Sequence, residues 1–342
     1  RYHNLGESNG IHFGPDPSKA EVYKKLGVQE ILIKGEADIG LIWDPDGDRF
    51  NIITTTSAKH AEQAEKLELE VESYPATDKS IVYFKPNQLF LMLTAYRINV
   101  LKEAGLLDAY DWFITSSIST SHSIAEIAAK ENVPVAQVQV GFKHVGTFSE
   151  WLENRVDPNE PFINAIGDEV YIGENPRALI MCEESGGSVY GGTELLMNES
   201  RSIGLISLRE KDGMQFALMI LSLASRLYNL NSSFAEYYCS LIEEYDIQHR
   251  FFDRRDVVLF DESLTGTDRE KAKLGGMKKR NKTMDYFNSL AKKVSAEKSL
   301  QEISDDINSR LSDGDKMIPS PTRVSIVGEG KLLDGVFFEF ED

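Results

Sequence analysis

The segment from Ile39 to Arg49, IGLIWDPDGDR, constrains the fold more than any other part of the chain. It opens with residues typical of a buried β-strand, and Pro45 and Gly47 then force the backbone to turn. Three carboxylates alternate through that turn, on Asp44, Asp46 and Asp48. We therefore expect a short buried strand that delivers three aspartates to one tight loop.

The chemistry of this aspartate loop, residues 44–49, is that of a site for a small, hard cation. Oxygen donors suit Mg²⁺, which usually keeps coordination positions for water and for a substrate phosphate. Arg49 lies directly beside the carboxylates, and a guanidinium group suits a phosphate ligand. The sequence therefore predicts a magnesium site beside a place for a phosphate.

Three other interpretations of the same loop must be weighed. A calcium-binding EF-hand needs glycine at its sixth position and glutamate at its twelfth, where this chain has Arg49 and Thr55, so that class is disfavoured. A phosphatase of the haloacid-dehalogenase type also places D-x-D-G after an apolar strand, and it would use Asp44 as nucleophile and Asp46 as acid and base. A solvated acidic turn is the third, although such a turn needs neither alternating carboxylates nor a buried strand before it.

A second predicted strand ends in the same way. The apolar run Arg177–Met181 leads into Cys182-Glu183-Glu184-Ser185 and again presents carboxylates at its tip. Segments of helical and strand character alternate along the chain, with helices predicted at 87–104, 212–228 and 234–245 and strands at 111–117 and 137–140. This alternation predicts an α/β fold in which repeated units face a common cleft.

Five segments together resemble the motifs of the α-D-phosphohexomutases, the phosphoglucomutase and phosphomannomutase family. They are D-P-D-G-D-R at 44–49, G-F-K within 141–146, E-x-S-G within 182–187, K-D-G at 211–213 and D-G-V-F-F-E-F at 334–340. They occur in the order that the family has, and the resemblance spans nearly the whole chain.

The resemblance implies repeated α/β/α sandwich domains followed by an incomplete α+β domain. It predicts a metal-binding domain at 1–80, a sugar-binding domain at 81–246, and a linker with the start of a further domain at 247–342. The implied activity is Mg²⁺-dependent phosphoryl transfer that interconverts 1-phospho and 6-phospho sugars, an isomerase reaction of carbohydrate metabolism. Its substrate would be a hexose or pentose phosphate, with a sugar 1,6-bisphosphate as intermediate and activator.

The same resemblance gives roles to individual residues. The implied metal ligands are Asp44, Asp46 and Asp48. The implied catalytic residues are Arg49 and Lys143. The implied substrate-binding residues are Glu183, Ser185, Gly186, Lys143 and His144. Glu183 and Ser185 would hydrogen-bond sugar hydroxyls, and Gly186 would let the backbone approach the ring closely.

Two motifs of the family have no match in this sequence. One is the T-A-S-H-N-P-like loop that carries a phosphorylated serine, and the other is the R-P-S-G-T-E-P-like phosphate clamp. Thr120–Ser123 lacks the Asn-Pro of the first motif and is explained as an ordinary helix N-cap, and Ser320–Arg323 does not replace the second. We therefore expect an internal fragment of a longer polypeptide, inactive without its serine. A non-catalytic module that works by protein contact stays open as an alternative.

Charge and cysteine content narrow the choice of partners. A formal net charge of -18 argues against nucleic acid and against an anionic membrane surface. The longest apolar stretch, 216–224, is far shorter than the ~18 residues of a membrane span. With only Cys182 and Cys239 the chain has no disulfide framework, which favours a cytoplasmic location.

Two charged segments have no assigned role. Residues 57–78, rich in glutamate, are predicted to form an exposed helix or an insertion, and the basic residues within 267–282 are predicted to be solvated. Gly275-Gly276 is expected to break any helix in the second segment.

Overall fold

The computed structural model of the 342-residue chain describes residues 16–197, 203–252, 258–261, 263–295, 300–310, 321–327 and 335–340. The chain divides into two compact units. The first unit comprises Arg1–Phe162 and Glu169–Phe252, and the second comprises Ile163–Asp168 and Asp253–Asp342. Helices and strands are mixed throughout, so the predicted α/β class is confirmed. The predicted domain boundaries near residues 80 and 246 stay predictions.

The described residues contain ten α-helices. They are α1 (Ala20–Leu26), α2 (Val28–Ile33), α3 (Ala58–Lys66), α4 (Pro86–Glu103), α5 (Ser123–Lys130), α6 (Phe142–Asn154), α7 (Gly213–Asn229), α8 (Phe234–Glu244), α9 (Gly266–Ser295) and α10 (Leu300–Asn308). The helices predicted at 87–104, 212–228 and 234–245 correspond to α4, α7 and α8. Within this part of the chain, no helix combines the length and the apolar character needed to cross a membrane.

The strands are mostly short. They are β1 (Ile39–Trp43), β2 (Phe50–Ser57), β3 (Glu70–Tyr74), β4 (Lys79–Tyr83), β5 (Asp111–Ser117), β6 (Val135–Val138), β7 (Phe162–Ile163), β8 (Glu169–Val170), β9 (Pro176–Glu183), β10 (Gly187–Val189), β11 (Leu196–Met197), β12 (Ile203–Gly204), β13 (Arg323–Val327) and β14 (Gly335–Glu339).

The first sheet has the order β1-β2-β4-β3 and is antiparallel throughout. Strand β1 lies at its edge, and Trp43 pairs with Phe50, so the aspartate loop closes a β-hairpin. The sequence predicted a buried strand before the loop, but β1 is an edge strand whose residues alternate between buried and half-buried, and its neighbour is antiparallel. A six-residue connection returns the chain directly beside β1, whereas a parallel neighbour would need a long crossover.

The second sheet has the order β10-β9-β5-β6. Strands β6 and β9 run parallel to β5, and β10 is antiparallel to β9. Because Ser116 pairs with Cys182, strands β5 and β9 end at the same edge of the sheet. That edge presents Ser117 and Glu183 side by side.

One hydrophobic core connects the two sheets within the first unit. Helix α4 is buried on all sides from Pro86 to Tyr96, which is typical of a central helix. The ring of Phe216 packs against Phe50 of the first sheet and against Phe90 of α4. The distances between ring centroids are 5.2 Å and 5.1 Å. Each such aromatic pair contributes about 0.5–1.5 kcal/mol beyond area burial. Helix α7 contacts β2 of the first sheet and β10 of the second, and it thereby fixes one sheet against the other.

The two charged segments match expectation in part, because helix α3 is largely exposed and the basic residues within 267–282 are exposed, as predicted. Residues 57–78 form α3 and β3, and β3 pairs with β4, so the segment is part of the first sheet rather than an insertion. Helix α9 continues through Gly275 and Gly276, so the predicted break is absent there. A β-carbon on Gly276 would lie 2.9 Å from the backbone oxygen of Leu259, and close approach of another segment therefore explains this glycine.

The second unit contains α9, α10 and the antiparallel pair β13 and β14. Arg323 of β13 binds both carboxylate oxygens of Asp168, at 3.0 and 2.7 Å. These hydrogen bonds lower the pKa of Asp168. Strand β14 lies within the segment predicted from residues 334–340, whereas Asp334 and Ser320 lie outside the described residues.

Candidate metal and carbohydrate site

The aspartate loop is a compact hairpin turn between β1 and β2. The backbone N–H of Gly47 donates to the carbonyl of Asp44 at 3.2 Å, and the N–H of Asp44 donates to the carbonyl of Arg49 at 3.2 Å. Gly47 has φ = 77°, in the left-handed region that glycine adopts without a steric penalty. The turn chemistry read from the sequence thus produces a closed loop.

The three aspartates converge. One carboxylate oxygen from each of Asp44, Asp46 and Asp48 lies within 4.8 Å of the other two. Oxygens around a single Mg²⁺, at 2.0–2.1 Å from the ion, are separated by about 3–4 Å. Asp44 is buried, Asp48 is half-buried and Asp46 is exposed, so the cluster is open on one side. The donor type and spacing fit a divalent cation such as Mg²⁺.

Arg49 holds Asp44 in place. Its Nε lies 2.6 Å from Asp44 Oδ2, and its backbone N–H donates to Asp44 Oδ1 at 3.1 Å. Burial alone would raise the pKa of Asp44, but the hydrogen bonds from Arg49 outweigh burial and the pKa is lowered. Asp44 is therefore an ionised, oriented carboxylate at neutral pH.

Asp48 is in a different electrostatic position. Burial and the neighbouring Asp44 carboxylate raise the pKa of Asp48, and Lys211 opposes them. Two carboxylates this close repel each other unless a cation or a proton lies between them. The loop therefore concentrates negative charge that a divalent cation would relieve.

Residues 183–187, which we name the carbohydrate loop after the sugar contacts predicted for them, connect β9 to β10. Glu183 is buried at the end of β9, and its Oε1 accepts a hydrogen bond from Ser185 Oγ at 2.5 Å. Gly186 has φ = 99°, and a β-carbon there would meet Pro86 at 3.3 Å. The two loops are in contact, because Arg49 and Gly187 form an antiparallel β-bridge.

Lys211 connects the two loops and was missed in the sequence analysis. Its Nζ lies 3.1 Å from Asp48 Oδ2 and 3.1 Å from Glu183 Oε1. The aliphatic stem covers Gly187, where a β-carbon would lie only 2.0 Å from Lys211 Cδ. The motif K-D-G at 211–213 entered the resemblance without a role for its lysine. A lysine beside a helix N-cap was the available signal, but only the tertiary structure shows which carboxylates it reaches.

The start of α7 supports both loops. Asp212 caps the helix by accepting hydrogen bonds from the N–H groups of Met214 and Gln215. Its own N–H donates to the carbonyl of Ser188, just after the carbohydrate loop, at 3.0 Å. Trp43 Nε1 donates to the carbonyl of Gly213 at 3.1 Å, just before the aspartate loop. A single helix terminus therefore sets the positions of the two loops.

Lys143 and His144 lie in the first turn of α6. The G-F-K segment was predicted as a loop, but it is helical from Phe142 onward, after Gly141 with φ = 110°. Helix α6 packs against β5, β6 and β9 of the second sheet. Lys143 is exposed and His144 is half-buried. Roles for the two residues at a substrate stay predictions.

Glu184 is hydrogen-bonded to residues at the end of β5 and just after it. Its Oε2 accepts hydrogen bonds from Ser117 Oγ at 2.8 Å and from Ser119 Oγ at 2.5 Å. Ser117 Oγ also lies 2.9 Å from Thr120 Oγ1. This hydroxyl cluster ties the carbohydrate loop to the segment that leads into α5. Ser121 Oγ accepts from the N–H of Ser123 at 3.3 Å, in keeping with a local role at the helix start.

We expect Glu184→Ala to lower the free energy of unfolding by about 1–2 kcal/mol, because the buried Ser117 hydroxyl and the half-buried Ser119 hydroxyl lose a charged acceptor. Chemical denaturation followed by circular dichroism measures the change. Glu194→Ala, at an exposed glutamate beyond β10, is the matched control and should have little effect. Equal effects of the two substitutions would contradict a specific role for Glu184.

Comparisons with known proteins identify no family. No protein-family model matches the chain. No curated protein matches it either. Similarity to solved structures is low in identity and covers only part of each protein.

Three solved structures illustrate this. A phosphoglucomutase/phosphomannomutase family protein from Burkholderia thailandensis is 16% identical with a TM-score of 0.36, over 67% of this chain and 33% of that protein. The pp63/parafusin phosphoglucomutase from Paramecium is 17% identical with a TM-score of 0.38, over 67% of this chain and 29% of that protein. N-acetylphosphoglucosamine mutase from Aspergillus fumigatus, in complex with GlcNAc-6P and magnesium, is 11% identical with a TM-score of 0.39, over 87% of this chain and 47% of that protein.

The chain spans less than half the length of each of these three proteins. Likeness at these TM-scores assigns neither a family nor an activity to this chain. The case for a function therefore depends on its own residues.

Proposed function

We propose that this chain supplies the metal-binding and sugar-binding groups of a phosphohexomutase, an enzyme that interconverts 1-phospho and 6-phospho sugars. The observation that carries the proposal is the contact of one ammonium group, Lys211 Nζ, with both Asp48 and Glu183 at 3.1 Å. Two loops that resemble the metal and sugar motifs of the family thus meet at one ammonium group. An accidental match of short motifs would not require them to meet.

Asp44, Asp46 and Asp48 would hold Mg²⁺, which supplies positive charge to the oxygens of a transferring phosphoryl group when bound. Arg49 orients Asp44 through two hydrogen bonds and leaves the rest of its guanidinium group for a phosphate oxygen. In phosphoryl transfer most of the catalysis is positioning and charge neutralisation, and these residues suit that task. The phosphoserine of the proposed reaction has no counterpart in the motifs of this sequence.

Glu183 and Ser185 are our candidates for the sugar hydroxyls. Ser185 Oγ donates to Glu183 Oε1, and the pair offers a carboxylate and a hydroxyl oxygen at adjacent positions. A mutase must bind its sugar in two orientations, with a 1,6-bisphosphate between them, and groups that contact ring hydroxyls serve both. Lys143 and His144 remain proposed contacts of a hexose or pentose phosphate.

The alternatives have weaker support. In a dehalogenase-type phosphatase Asp44 would attack phosphorus, but both of its oxygens accept hydrogen bonds from Arg49. A non-catalytic module would have no need for three converging carboxylates, and metal titration tests it directly. Cys182 and Cys239 are buried, free thiols, which suits the cytoplasmic location that we propose.

Calorimetric titration with Mn²⁺ and then with glucose 1-phosphate tests the proposal without requiring turnover. We expect one saturable Mn²⁺ site, binding of glucose 1-phosphate, and a loss of about tenfold in sugar phosphate affinity in Glu183→Gln, because a hydroxyl loses its charged acceptor. The matched control is Glu174→Gln. Glu174 is exposed and lies just before the start of β9, whereas Glu183 is at the end of that strand. Absence of both binding events would refute the proposal.

A further inference from the structure

We propose that Lys211 couples the two loops, so that a divalent cation on the aspartates makes the Lys211 ammonium available to the phosphate of a sugar phosphate. This inference rests on the proposed function. It adds a link between the affinities for the two ligands, with Lys211 as the positioning residue that transmits it.

The first step is that one ammonium is shared between two carboxylates. Lys211 Nζ lies at the same distance, 3.1 Å, from Asp48 Oδ2 and from Glu183 Oε1. The side chain is only 19% exposed, so water replaces these contacts poorly. Any change in the charge of one carboxylate therefore shifts the balance of the ammonium between them.

The second step is competition at Asp48. Its carboxylate belongs to the aspartate cluster and already faces two cations, because Arg49 Nε lies 3.8 Å from Oδ1 while Lys211 lies at Oδ2. A dication on the same carboxylate reduces its attraction for the ammonium and repels the ammonium itself. Metal binding and the contact between Lys211 and Asp48 thus oppose each other.

The third step is that the stem of the lysine stays packed against Gly187. Lys211 Cγ and Cδ occupy the space where a side chain on Gly187 would be, at 2.4 and 2.0 Å from an ideal β-carbon. With its stem packed there, the ammonium changes partner by rotation about its last bonds. It then remains beside Glu183, where the phosphate of a ligand on the carbohydrate loop becomes its new partner.

Linkage makes the coupling reciprocal. If a cation on the aspartates raises the affinity for a sugar phosphate, the sugar phosphate must raise the affinity for the cation by the same factor. A neutral sugar lacks the anion that recruits the ammonium, so glucose should show little of this coupling.

The experiment is calorimetric titration of the whole chain with Mn²⁺, alone and with saturating glucose 1-phosphate or glucose. For Lys211→Met we expect Mn²⁺ to bind about tenfold more tightly than to the wild type, because a competing cation is gone while the stem still covers Gly187. Glucose 1-phosphate should tighten Mn²⁺ binding about fivefold in the wild type and less than about twofold in Lys211→Met. Lys211→Arg should behave as the wild type.

Lys66→Met is the matched control, since it removes an exposed lysine of α3 that pairs with Glu62, and its Mn²⁺ affinity should be unchanged. Lys211→Gln provides a second neutral variant if Lys211→Met does not fold. Unchanged Mn²⁺ affinity in the neutral variants, with wild-type binding intact, overturns this inference alone. A wild-type chain without saturable Mn²⁺ binding also overturns this inference, and one that binds neither Mn²⁺ nor glucose 1-phosphate overturns the proposed function as well.

Discussion

The substitution Asp44→Asn is expected to weaken Mn²⁺ binding by about a hundredfold, which corresponds to about 2.7 kcal/mol. Asp44 is the buried member of the aspartate cluster, and hydrogen bonds from Arg49 hold it in the ionised form. Asparagine keeps the shape but provides one neutral oxygen in place of a charged carboxylate. Its amide N–H₂ is a donor, so where it faces Arg49 Nε two donors meet without an acceptor. Titration with Mn²⁺ measures the effect.

Asp38→Asn is the control for this prediction. Asp38 is exposed and precedes the same strand, β1, at the end opposite the aspartate loop. The Asp38→Asn variant should bind Mn²⁺ with the affinity of the wild type. If Asp44→Asn kept wild-type affinity, the aspartate loop would not be the metal site.

The same substitution should change how stability depends on pH when no metal is added. The pKa of Asp44 is lowered in the folded state, since the hydrogen bonds from Arg49 overcome the effect of burial. Such a group stabilises the fold above its unfolded pKa of about 3.9, and the contribution is lost as the pH falls through the lower folded value. The difference in free energy of unfolding between wild type and Asp44→Asn should thus be present at pH 7 and shrink below about pH 4. Denaturation at the two pH values compares them.

Gly213→Ala is expected to lower the free energy of unfolding by about 2–3 kcal/mol and to weaken Mn²⁺ binding by about tenfold. A β-carbon at Gly213 would lie 2.4 Å from the backbone oxygen of Gly47 and 3.1 Å from Trp43 Cδ1. Backbone at this distance cannot rotate away as a side chain does, so the aspartate loop must shift. The carboxylates then lose their mutual geometry. Denaturation and Mn²⁺ titration of the same variant measure the two effects.

The matched substitution is Gly275→Ala. Gly275 lies within α9, and a β-carbon there meets no atom within 4 Å. Alanine has a higher helix propensity than glycine, so the free energy of unfolding of this variant should rise by up to about 1 kcal/mol. Its Mn²⁺ affinity should equal that of the wild type. A stabilising effect of both substitutions would show that contact between α7 and the aspartate loop is not needed.

The helices and the loop residues were predictable to different degrees. Helix α4 carries apolar residues at helical spacing and lies where it was predicted, because a long periodic segment needs few long-range contacts to specify its type. The antiparallel return of the chain after the aspartate loop was not predicted. An apolar strand can pair with a parallel or with an antiparallel neighbour, and its own sequence does not decide between them. Gly275 and Gly276 were interpreted as a helix break, but helix α9 continues through both. Gly276 lets the backbone of Leu259 approach the helix closely.

The sequence by itself determined which chemical groups occur together in each loop: three alternating carboxylates beside Arg49, and the Glu183 and Ser185 pair. Turn residues and short-range spacing specify these local sets, because neighbours along the chain cannot separate. Only the tertiary structure decided that the two loops meet. Their contact comprises the bridge between Arg49 and Gly187, the ion pairs of Lys211, which is 163 and 28 positions away from Asp48 and Glu183, and the packing of helix α7 against both sheets. Contacts over such separations result from burial of a shared core, and local sequence patterns do not encode them.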